Sequence, residues 1–370
     1  MLKWIKDFIA KETVFCIAAL CAVVTMFIVP PDGEYLHYID FRVLCLLLCL
    51  MAVVAGMKAI GVFQWLTYQL LHSMRTGHAL SVTLVMLPFF SSMFVTNDVA
   101  LIIFIPFTLM LLEQLGCTHC IIPVTVFQTI AANLGSMATP VGNPQNLYLY
   151  AFYQMSIGDF FSVVLPLTVI SLVVLAGASI PLLPRNLPEQ TIEKAEITST
   201  KLLLVYLLLF VLCLLTVFRV IPYLITTAIT VVIFLLMDRR VLKGVDYMLL
   251  LTFVCFFIVS ENLGRVDGIR QFLQQLLQRN TLLTAVATSQ VISNVPAAVV
   301  LSGFTDQWKY MLAGVNIGGL GTPIASLASL ITIKFYLRWP GAKILRFLAY
   351  FTVVNVIALV ILLFVAYLIG

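Results

Sequence analysis

Residues 132–140 read Ala-Asn-Leu-Gly-Ser-Met-Ala-Thr-Pro, and residues 315–323 read Val-Asn-Ile-Gly-Gly-Leu-Gly-Thr-Pro. The two segments align without gaps at an offset of 183 residues (316 − 133), so Asn133 matches Asn316 and the Thr-Pro pairs coincide. Both lie in long apolar runs, where glycine and proline interrupt the hydrogen-bond ladder of a helix. The sequence therefore predicts two related broken transmembrane helices, at residues 121–150 and 310–334.

The composition around these segments is that of a membrane protein. Of 370 residues, 62% are hydrophobic and 10% are charged, whereas a soluble chain carries roughly 25% charged residues. The net charge of +5 is small and scattered along the chain, which excludes nucleic-acid binding as a main role. We therefore predict an all-α polytopic membrane protein with the lipid bilayer as its surroundings.

Apolar runs mark where the chain crosses the membrane, since about 20 such residues span the hydrocarbon. We predict crossings near residues 13–30, 41–57, 121–150, 160–183, 201–218, 220–237, 246–262, 310–334 and 346–369. The first run lacks a small-residue cleavage pattern, so it is predicted to be an uncleaved span rather than a signal peptide. Residues 59–75 and 264–279 mix apolar and polar residues at helical spacing, which predicts interfacial amphipathic helices.

Two further apolar segments carry polar residues at their centres. Residues 79–113 contain Thr96-Asn97-Asp98, and residues 280–304 contain Ser293-Asn294-Val295. Each arm is judged too short to span and each centre too polar to face lipid, which favours a re-entrant helical hairpin whose tip is buried in protein. Asn97 and Asn294 then occupy equivalent hairpin tips.

The chain divides into two repeats at a polar segment. Residues 1–184 form the first repeat, 185–200 a predicted cytoplasmic linker, and 201–370 the second repeat. The helix at 201–218 has no counterpart in the first half and reverses the entry side of the second copy, so the repeats are predicted to be inverted in the membrane. Counting Lys and Arg by side divides the 21 residues into 15 and 6, which predicts a cytoplasmic N-terminus and an extracytoplasmic C-terminus in the cell membrane.

Broken helices at membrane depth leave backbone groups that need partners. Free carbonyls and hydroxyls suit a cation, and free amides at the positive end of a half-helix suit an anion. The alternative for one copy alone is a proline kink packed on serine and glycine. Because two breaks accompany two polar hairpin tips, we favour a binding site.

Asp98 is the one acidic residue predicted at membrane depth, where a carboxylate is costly and is a functional candidate by default. We predict that it couples transport to a cation or a proton. The alternative is a capping role, in which Asp98 accepts the amides of the helix that starts at Val99. No cofactor is predicted, and Na⁺ is the one metal ion expected, because Cys117-Thr-His-Cys120 has no second ligand pair.

The segment Thr139-Pro140-Val141-Gly142-Asn143-Pro144-Gln145-Asn146 resembles the signature of an ion-transporter superfamily. That superfamily holds divalent-anion:sodium symporters, citrate-type transporters, arsenite permeases and one branch of Na⁺/H⁺ antiporters. The Asn97-Asp98 tip followed by an apolar helix is similar to the arsenite permeases. The resemblance also implies an elevator motion and, in some branches, a homodimer.

The resemblance and the repeat together assign the site residues. Those assigned to a small anionic substrate are Asn97, Asp98, Asn294, Val295, Thr139, Pro140, Thr322 and Pro323. Those assigned to a cation are Thr96, Asn97, Ala138, Gly142, Asn143, Ser293, Asn294, Gly321 and Ser326.

Two functions fit these residues. The first is a secondary active transporter of a small anion or oxyanion, of carboxylate or arsenite type, coupled to Na⁺ or H⁺. The second is a Na⁺/H⁺ antiporter that uses Asp98. An intramembrane enzyme is not expected, because no serine–lysine pair, aspartate pair or histidine cluster is placed at depth.

Overall fold

The computed structural model describes residues 12–71, 76–186 and 196–369, and within these ranges the regular secondary structure is helical, without strands. The α-helices of this described part are α1 (Thr13–Ile28), α2 (Phe41–Ala59), α3 (Val62–Leu71), α4 (Gly77–Ser91), α5 (Asn97–Gln114), α6 (Ile121–Ser136), α7 (Pro144–Phe152), α8 (Ile157–Ser179), α9 (Thr200–Val217), α10 (Tyr223–Met237), α11 (Tyr247–Gly264), α12 (Asp267–Arg279), α13 (Thr281–Ile292), α14 (Asn294–Ser302), α15 (Trp308–Ile317), α16 (Leu327–Arg338) and α17 (Ile344–Ile369). Short 3₁₀ turns occupy Gly33–Leu36, Thr118–Cys120, Ile180–Leu182 and Val241–Gly244.

Helical segments long and apolar enough to cross a membrane confirm the polytopic prediction. Six occur in the described residues, namely Gly33–Ala59, Asn97–Gln114, Ile157–Leu182, Thr200–Val217, Tyr247–Gly264 and Ile344–Ile369. The predicted crossings near 13–30 and 220–237 correspond to the shorter helices α1 and α10, of 16 and 15 residues. The chain is a multi-pass, all-α membrane protein.

One premise of the first hairpin prediction is wrong. Its second arm, α5, begins at Asn97 and continues through Pro106 for 18 residues, about 27 Å at 1.5 Å per residue. That length approaches the roughly 30 Å of the hydrocarbon core, so this arm is not too short to span. The first arm, α4, has 15 residues, and the re-entrant path stays a prediction.

Large apolar side chains point outward along the peripheral helices. Phe27 on α1 is 84% exposed, Leu236 on α10 is 79% exposed, and Leu345 on α17 is 81% exposed. In water such surfaces would cost about 25 cal/mol per Å², whereas lipid chains solvate them. These faces are therefore the ones that contact the bilayer.

Buried side chains form two separate apolar cores. The first core contains Val43 and Leu46 of α2 together with Phe253 of α11 and Val299 of α14. The second core joins α4, α5 and α6 to α15, α16 and α17, with Phe89 at its centre. Each core draws on both halves of the sequence, so the two halves are interleaved in space.

The predicted hairpins and broken helices each consist of two helices in this fold. The first hairpin turn (residues 92–96) joins α4 to α5, and the second hairpin turn (residue 293) joins α13 to α14. The first break (residues 137–143) separates α6 from α7, and the second break (residues 318–326) separates α15 from α16. These four interruptions position the candidate site.

Candidate functional site at two hairpin turns and two helix breaks

Asn97 connects the first hairpin turn to the helix that precedes the first break. Its side chain is 5% exposed, and its Oδ1 accepts the amide of Asp98 at 2.9 Å. Its Nδ2 donates to Oδ1 of Asn133 on α6, also at 2.9 Å. Thr96 occupies the N-cap position of α5, but its side chain accepts no capping hydrogen bond. Asn97 therefore links the start of α5 to α6 through its side chain.

Asp98 lies in the first turn of α5 with a carboxylate that has no partner among the described residues. Its Oδ1 is shielded from solvent and accepts no hydrogen bond. The charge of Asp246, which has the same sign, acts on it. The capping alternative is not realised here, because the helix begins at Asn97 and the first-turn amides do not bond to Oδ1 of Asp98.

The first break is closed by an asparagine cap and a glycine. Asn143 is the N-cap of α7, where its Oδ1 accepts the amide of Asn146 at 2.9 Å and Pro144 takes the first helical position. Proline at that position removes no intrahelical hydrogen bond. A Cβ on Gly142 would lie 2.2 Å from the carbonyl oxygen of Ser136. Only glycine allows the loop to return so close to the end of α6.

The second hairpin turn is a single residue with unusual backbone geometry. Ser293 has φ of +75°, a left-handed conformation that is costly for a residue other than glycine. Its Oγ donates to the carbonyl of Ala325 at 3.3 Å, and the amide of Asn294 donates to the same carbonyl at 2.9 Å. The turn is thus held against the second break.

Gln290 on α13 holds the second break in place. Its Nε2 donates to the carbonyl oxygens of Gly318 and Leu320, both at 2.9 Å, and its Oε1 accepts the amide of Thr322 at 2.8 Å. These bonds satisfy backbone groups that the interruption of the helix leaves free. Gly321, with φ of +101°, makes the bend beside Gln290.

The two threonines of the Thr-Pro pairs make equivalent hydrogen bonds. Thr139 donates its hydroxyl to the carbonyl of Met93 in the first hairpin turn at 2.5 Å. Thr322 donates its hydroxyl to the carbonyl of Gln290 in the second hairpin at 3.1 Å. Each threonine assigned to substrate from the sequence therefore joins a break to its own hairpin in this structure.

Two polar pairs link the repeats to each other. Asn133 donates from Nδ2 to Oγ of Ser326 at 3.1 Å, and Asn143 donates from Nδ2 to Oδ1 of Asn316 at 3.3 Å. The repeat offset of 183 carries Asn133 to Asn316 and Asn143 to Ser326 (316 − 133 and 326 − 143). The same contact thus occurs twice with the partners exchanged.

Further hydrogen bonds extend these pairs into one cluster, which we call the asparagine network. Asn316 donates to Oδ1 of Asn146 at 2.7 Å, and Ser326 caps α16 by accepting the amide of Ser329 at 3.2 Å. The network consists of Asn97, Asn133, Asn143, Asn146, Asn316 and Ser326. All six side chains are at most 5% exposed, so the network is closed to solvent.

The remaining predicted residues lie around the network with different surroundings. Val295 packs into the first core, so its side chain is not available to a polar ligand. Ala138 and Pro140 are buried within the first break, and Pro323 is partly buried in the second. Asn294 lies against Gly319, since a Cβ on that glycine would be 2.8 Å from Nδ2 of Asn294.

Electrostatically, the site combines helix N-termini with uncharged amides. The helices α5, α7, α14 and α16 all begin at the hairpin turns or breaks, where each has a partial positive charge, although Asn143 and Ser326 already cap one amide each of α7 and α16. The asparagine network contains no Lys, Arg or His. The one ionisable group that the sequence placed here, Asp98, is negative when ionised. This combination can attract an anion to amides while Asp98 attracts a cation or a proton.

Sequence reasoning missed four residues that hold this site together. Asn133 and Asn316 were aligned as a repeated position without a role, Asn146 was quoted only as the last residue of the signature segment, and Gln290 was not singled out. The available signal was an asparagine retained at the aligned position of both repeats, just before each break. Their partners could not be found from the sequence, because Asn133 and Ser326 are 193 residues apart.

Comparison with known proteins places this architecture in a family. The family model of the citrate transporters matches residues 1–307. The chain is 32% identical to an uncharacterized transporter of Methanocaldococcus jannaschii over 89% of this chain and 90% of that protein. It is 30% identical to the inner membrane protein YbiR of Escherichia coli over 80% of each chain.

A more distant relative is a plant protein. The silicon efflux transporter LSI3 of Oryza sativa subsp. japonica is 30% identical over 38% of this chain and 28% of its own length. The matched family and the relatives named as transporters confirm the superfamily predicted from the broken-helix signature, and they are transporters rather than enzymes. With a family model that spans its first 307 residues, the chain belongs to the citrate transporter family.

Proposed function

We propose that the protein is a secondary active transporter of a small anion or oxyanion, coupled to Na⁺ or H⁺. The observation that carries this proposal is the asparagine network, in which the first hairpin turn and two helix breaks from distant parts of the chain meet. The second hairpin turn is held against the second break through the carbonyl of Ala325. Discontinuous helices that meet at a repeat interface are where secondary transporters bind substrates and ions. The family membership supports the same class of function.

The donors at this site favour an oxygen-rich substrate with limited charge. Amide groups and helix N-termini can bind carboxylate or hydroxyl oxygens. A carboxylate at position 98 and the lack of a cationic side chain in the network both disfavour a ligand with several negative charges. A small monocarboxylate or an oxyacid therefore fits this site better than a fully ionised tricarboxylate does.

Asp98 is proposed to be the coupling group. Its shielded Oδ1 has no hydrogen-bond donor among the described residues, and a charge without a partner is expensive to bury. Binding Na⁺ or a proton would remove that cost. The occupied and empty states of Asp98 then differ in net charge, which gives the coupling ion a direct effect on anion binding one residue away.

The exchanged contacts support inverted repeats. A two-fold axis in the membrane plane would carry Asn133 onto Asn316 and Ser326 onto Asn143, which is the pairing observed. In an elevator motion, as the family resemblance implies, such a closed network would move as one unit with its bound substrate. The site would then face each side of the membrane in turn.

A Na⁺/H⁺ antiporter remains the second candidate, favoured by the unpaired carboxylate of Asp98 alone. In that mechanism Na⁺ and H⁺ compete for Asp98 and no anion moves. The asparagine network would then position backbone carbonyls for Na⁺ rather than amides for an anion.

Transport by purified protein in liposomes distinguishes the two. Uptake of labelled monocarboxylates, citrate, arsenite and silicic acid is measured with a Na⁺ gradient, a pH gradient or neither. The proposal expects at least one substrate to accumulate only with a gradient. Na⁺ movement driven by a pH gradient, with no uptake of any of these substrates, would select the antiporter.

Alanine variants of the two hairpin asparagines test where the substrate binds. Asn97→Ala and Asn294→Ala are expected to abolish uptake, whereas Asn355→Ala should retain it. Asn355 is also buried, but it bonds to the carbonyl of Phe351 within α17, outside the network. Normal uptake by both hairpin variants would mean that the substrate binds elsewhere.

A further inference from the structure

Two adjoining pockets lie outside the asparagine network, where the end of α12 and the start of α15 meet the end of α17. Their volumes are about 250 and 330 Å³. Leu282, Tyr310 and Ala366 line both pockets, so the two lie side by side and share one wall, and together they are treated as one groove. We call this groove the α12–α17 groove.

The groove carries a positive charge in each of its two pockets. Arg279 lines the first pocket beside Gln278 and Asn280, and Lys309 lines the second. Both basic side chains are exposed, and neither forms an ion pair with a described residue. Lys309 lies over the ring of Trp308 at 5.5 Å, which leaves its charge available to another group.

The floor of the second pocket is the apolar end of the groove. Val163 and Leu167 of α8, Leu282 of α13 and Ala313 of α15 line the second pocket. Leu167 and Leu282 are buried at 2% and 3% exposure. The groove thus combines two cationic side chains with an apolar surface. This combination matches a molecule with a negatively charged headgroup and a hydrocarbon tail.

The depth of the groove fits the membrane interface. Arg279 is the last residue of α12, whose apolar residues Phe272 and Leu276 are 62% and 39% exposed. A helix with an exposed apolar face and a polar face lies in the headgroup plane. This position of α12 places Arg279 at the level of lipid phosphates, and Lys309 of α15 lines the adjoining pocket.

We propose that the α12–α17 groove binds an anionic phospholipid, with its phosphate between Arg279 and Lys309 and an acyl chain along Leu282 and Ala366. The charge complementarity and the apolar floor favour this occupant over a free anion, which would have no use for the floor. The site is separate from the asparagine network and does not depend on which substrate the protein carries.

The test is native mass spectrometry of the purified full-length protein with phosphatidylglycerol or phosphatidylcholine added. Wild-type protein is expected to retain phosphatidylglycerol in preference. One basic residue near an anionic lipid strengthens binding about fivefold. The double variant Arg279→Gln with Lys309→Gln removes two such residues, so it should reduce retention of phosphatidylglycerol roughly 25-fold. The matched control, Arg240→Gln with Lys243→Gln, removes the same charge from an exposed segment elsewhere and should retain the lipid.

A second variant tests the apolar end. Ala366→Trp fills the shared wall without changing charge and should also reduce phosphatidylglycerol retention severalfold. Unchanged retention in this variant, or displacement of the lipid by millimolar inorganic phosphate, would overturn the proposal in favour of a headgroup-only anion site. Equal retention of the two lipids by the wild type, or equal loss in the Arg240/Lys243 control, would overturn it in favour of non-specific binding.

Discussion

The proposed roles of single side chains at the site follow from the hydrogen-bond partners that each side chain has or lacks. Asn97 uses both ends of its amide, one on the backbone and one on Asn133. Its neighbour Asp98 has a shielded oxygen with no described partner. Eight buried side-chain atoms of the described residues lack a partner, and the oxygen of Asp98 is the one among them that belongs to an acidic group. Buried polar atoms are almost always paired, so we expect Asp98 to take its partner, a cation or a proton, from solution.

Replacing Asp98 separates coupling from binding. Asp98→Asn keeps the size of the side chain but removes its charge, so uptake should lose its dependence on pH or Na⁺ while substrate binding survives. The measurement is initial uptake in proteoliposomes against pH and against Na⁺ for both proteins. Superimposable profiles at full activity would show that Asp98 has no coupling role.

The thiol of Cys120, in the turn between α5 and α6, is predicted to be unreactive at neutral pH. Burial, with a smaller contribution from Cys117, raises its pKa to about 11, whereas an unperturbed thiol titrates near ~8.5. Because the raised pKa means that the folded protein holds the thiol proton more tightly than the unfolded chain does, protonated Cys120 stabilises the folded state. This contribution to the free energy of unfolding is fully present below pH ~8.5 and is lost as the pH rises through 11.

Alkylation of a variant that keeps only Cys120 measures this pKa. The rate should rise about tenfold per pH unit up to pH ~11, because only the thiolate reacts. The same variant unfolded in detergent should instead reach its half-maximal rate near pH ~8.5. A folded-state midpoint near the unfolded value would contradict the predicted shift.

At the level of elements, helices approach so closely at the breaks that specific residues are obligatory. A Cβ on Gly135 of α6 would lie 2.0 Å from the carbonyl oxygen of Phe89 on α4. No side-chain rotation relieves a clash with backbone, so α4 and α6 would have to separate. That contact fixes the first hairpin against the helix that carries Asn133.

The two glycines of α6 and α8 should therefore respond oppositely to alanine. Gly135→Ala is expected to destabilise the protein by about 1–3 kcal/mol or more through overpacking. Gly177→Ala on α8 meets no atom within 4 Å and should stabilise by up to ~1 kcal/mol through helix propensity. Thermal unfolding in detergent measures both, and a neutral Gly135→Ala would mean that the helices are less closely packed.

The exchanged pairs between repeats should be energetically coupled. Double-mutant cycles of Asn133→Ala with Ser326→Ala, and of Asn316→Ala with Asn143→Ala, should each give an interaction energy of about 0.5–3 kcal/mol. The two energies should have the same sign, because the repeat relates the pairs. Asn133→Ala with Asn355→Ala, which share no hydrogen bond, should be additive within about 0.5 kcal/mol. Additivity in both network cycles would reject the coupling.

For the whole molecule, interleaving of the two sequence halves is the main organising feature. Helices α2 and α7 from the first half pack with α11 and α14 from the second in the first core. The second core likewise combines both halves. A unit in which each half completes the other can present one shared site rather than two independent ones.

The orientation of the whole chain is a separate prediction from its charges. The division of Lys and Arg into 15 and 6 predicts that the N-terminus is cytoplasmic and the C-terminus extracytoplasmic. Reporter fusions at the two ends, one active only in the cytoplasm and one only outside, measure this. Two ends on the same side would reject an odd number of crossings, and with it the inverted repeat.

The sequence by itself determined that the protein is an all-α membrane protein of a transporter superfamily. Too few charges and too many apolar residues leave lipid as the only suitable solvent, and the repeated Asn and Thr-Pro positions mark where helices are interrupted. Signals of this kind can be recognised in a sequence because they depend on composition and on residues that are close together along the chain.

Tertiary structure decided which polar groups meet. Only the fold pairs Asn133 with Ser326, holds the second break with Gln290 and places Val295 in an apolar core. It also extends α5 to 18 residues, where the polar tip suggested a short arm. These outcomes depend on contacts between residues far apart in sequence, because a buried amide takes its partner from whichever helix packs beside it.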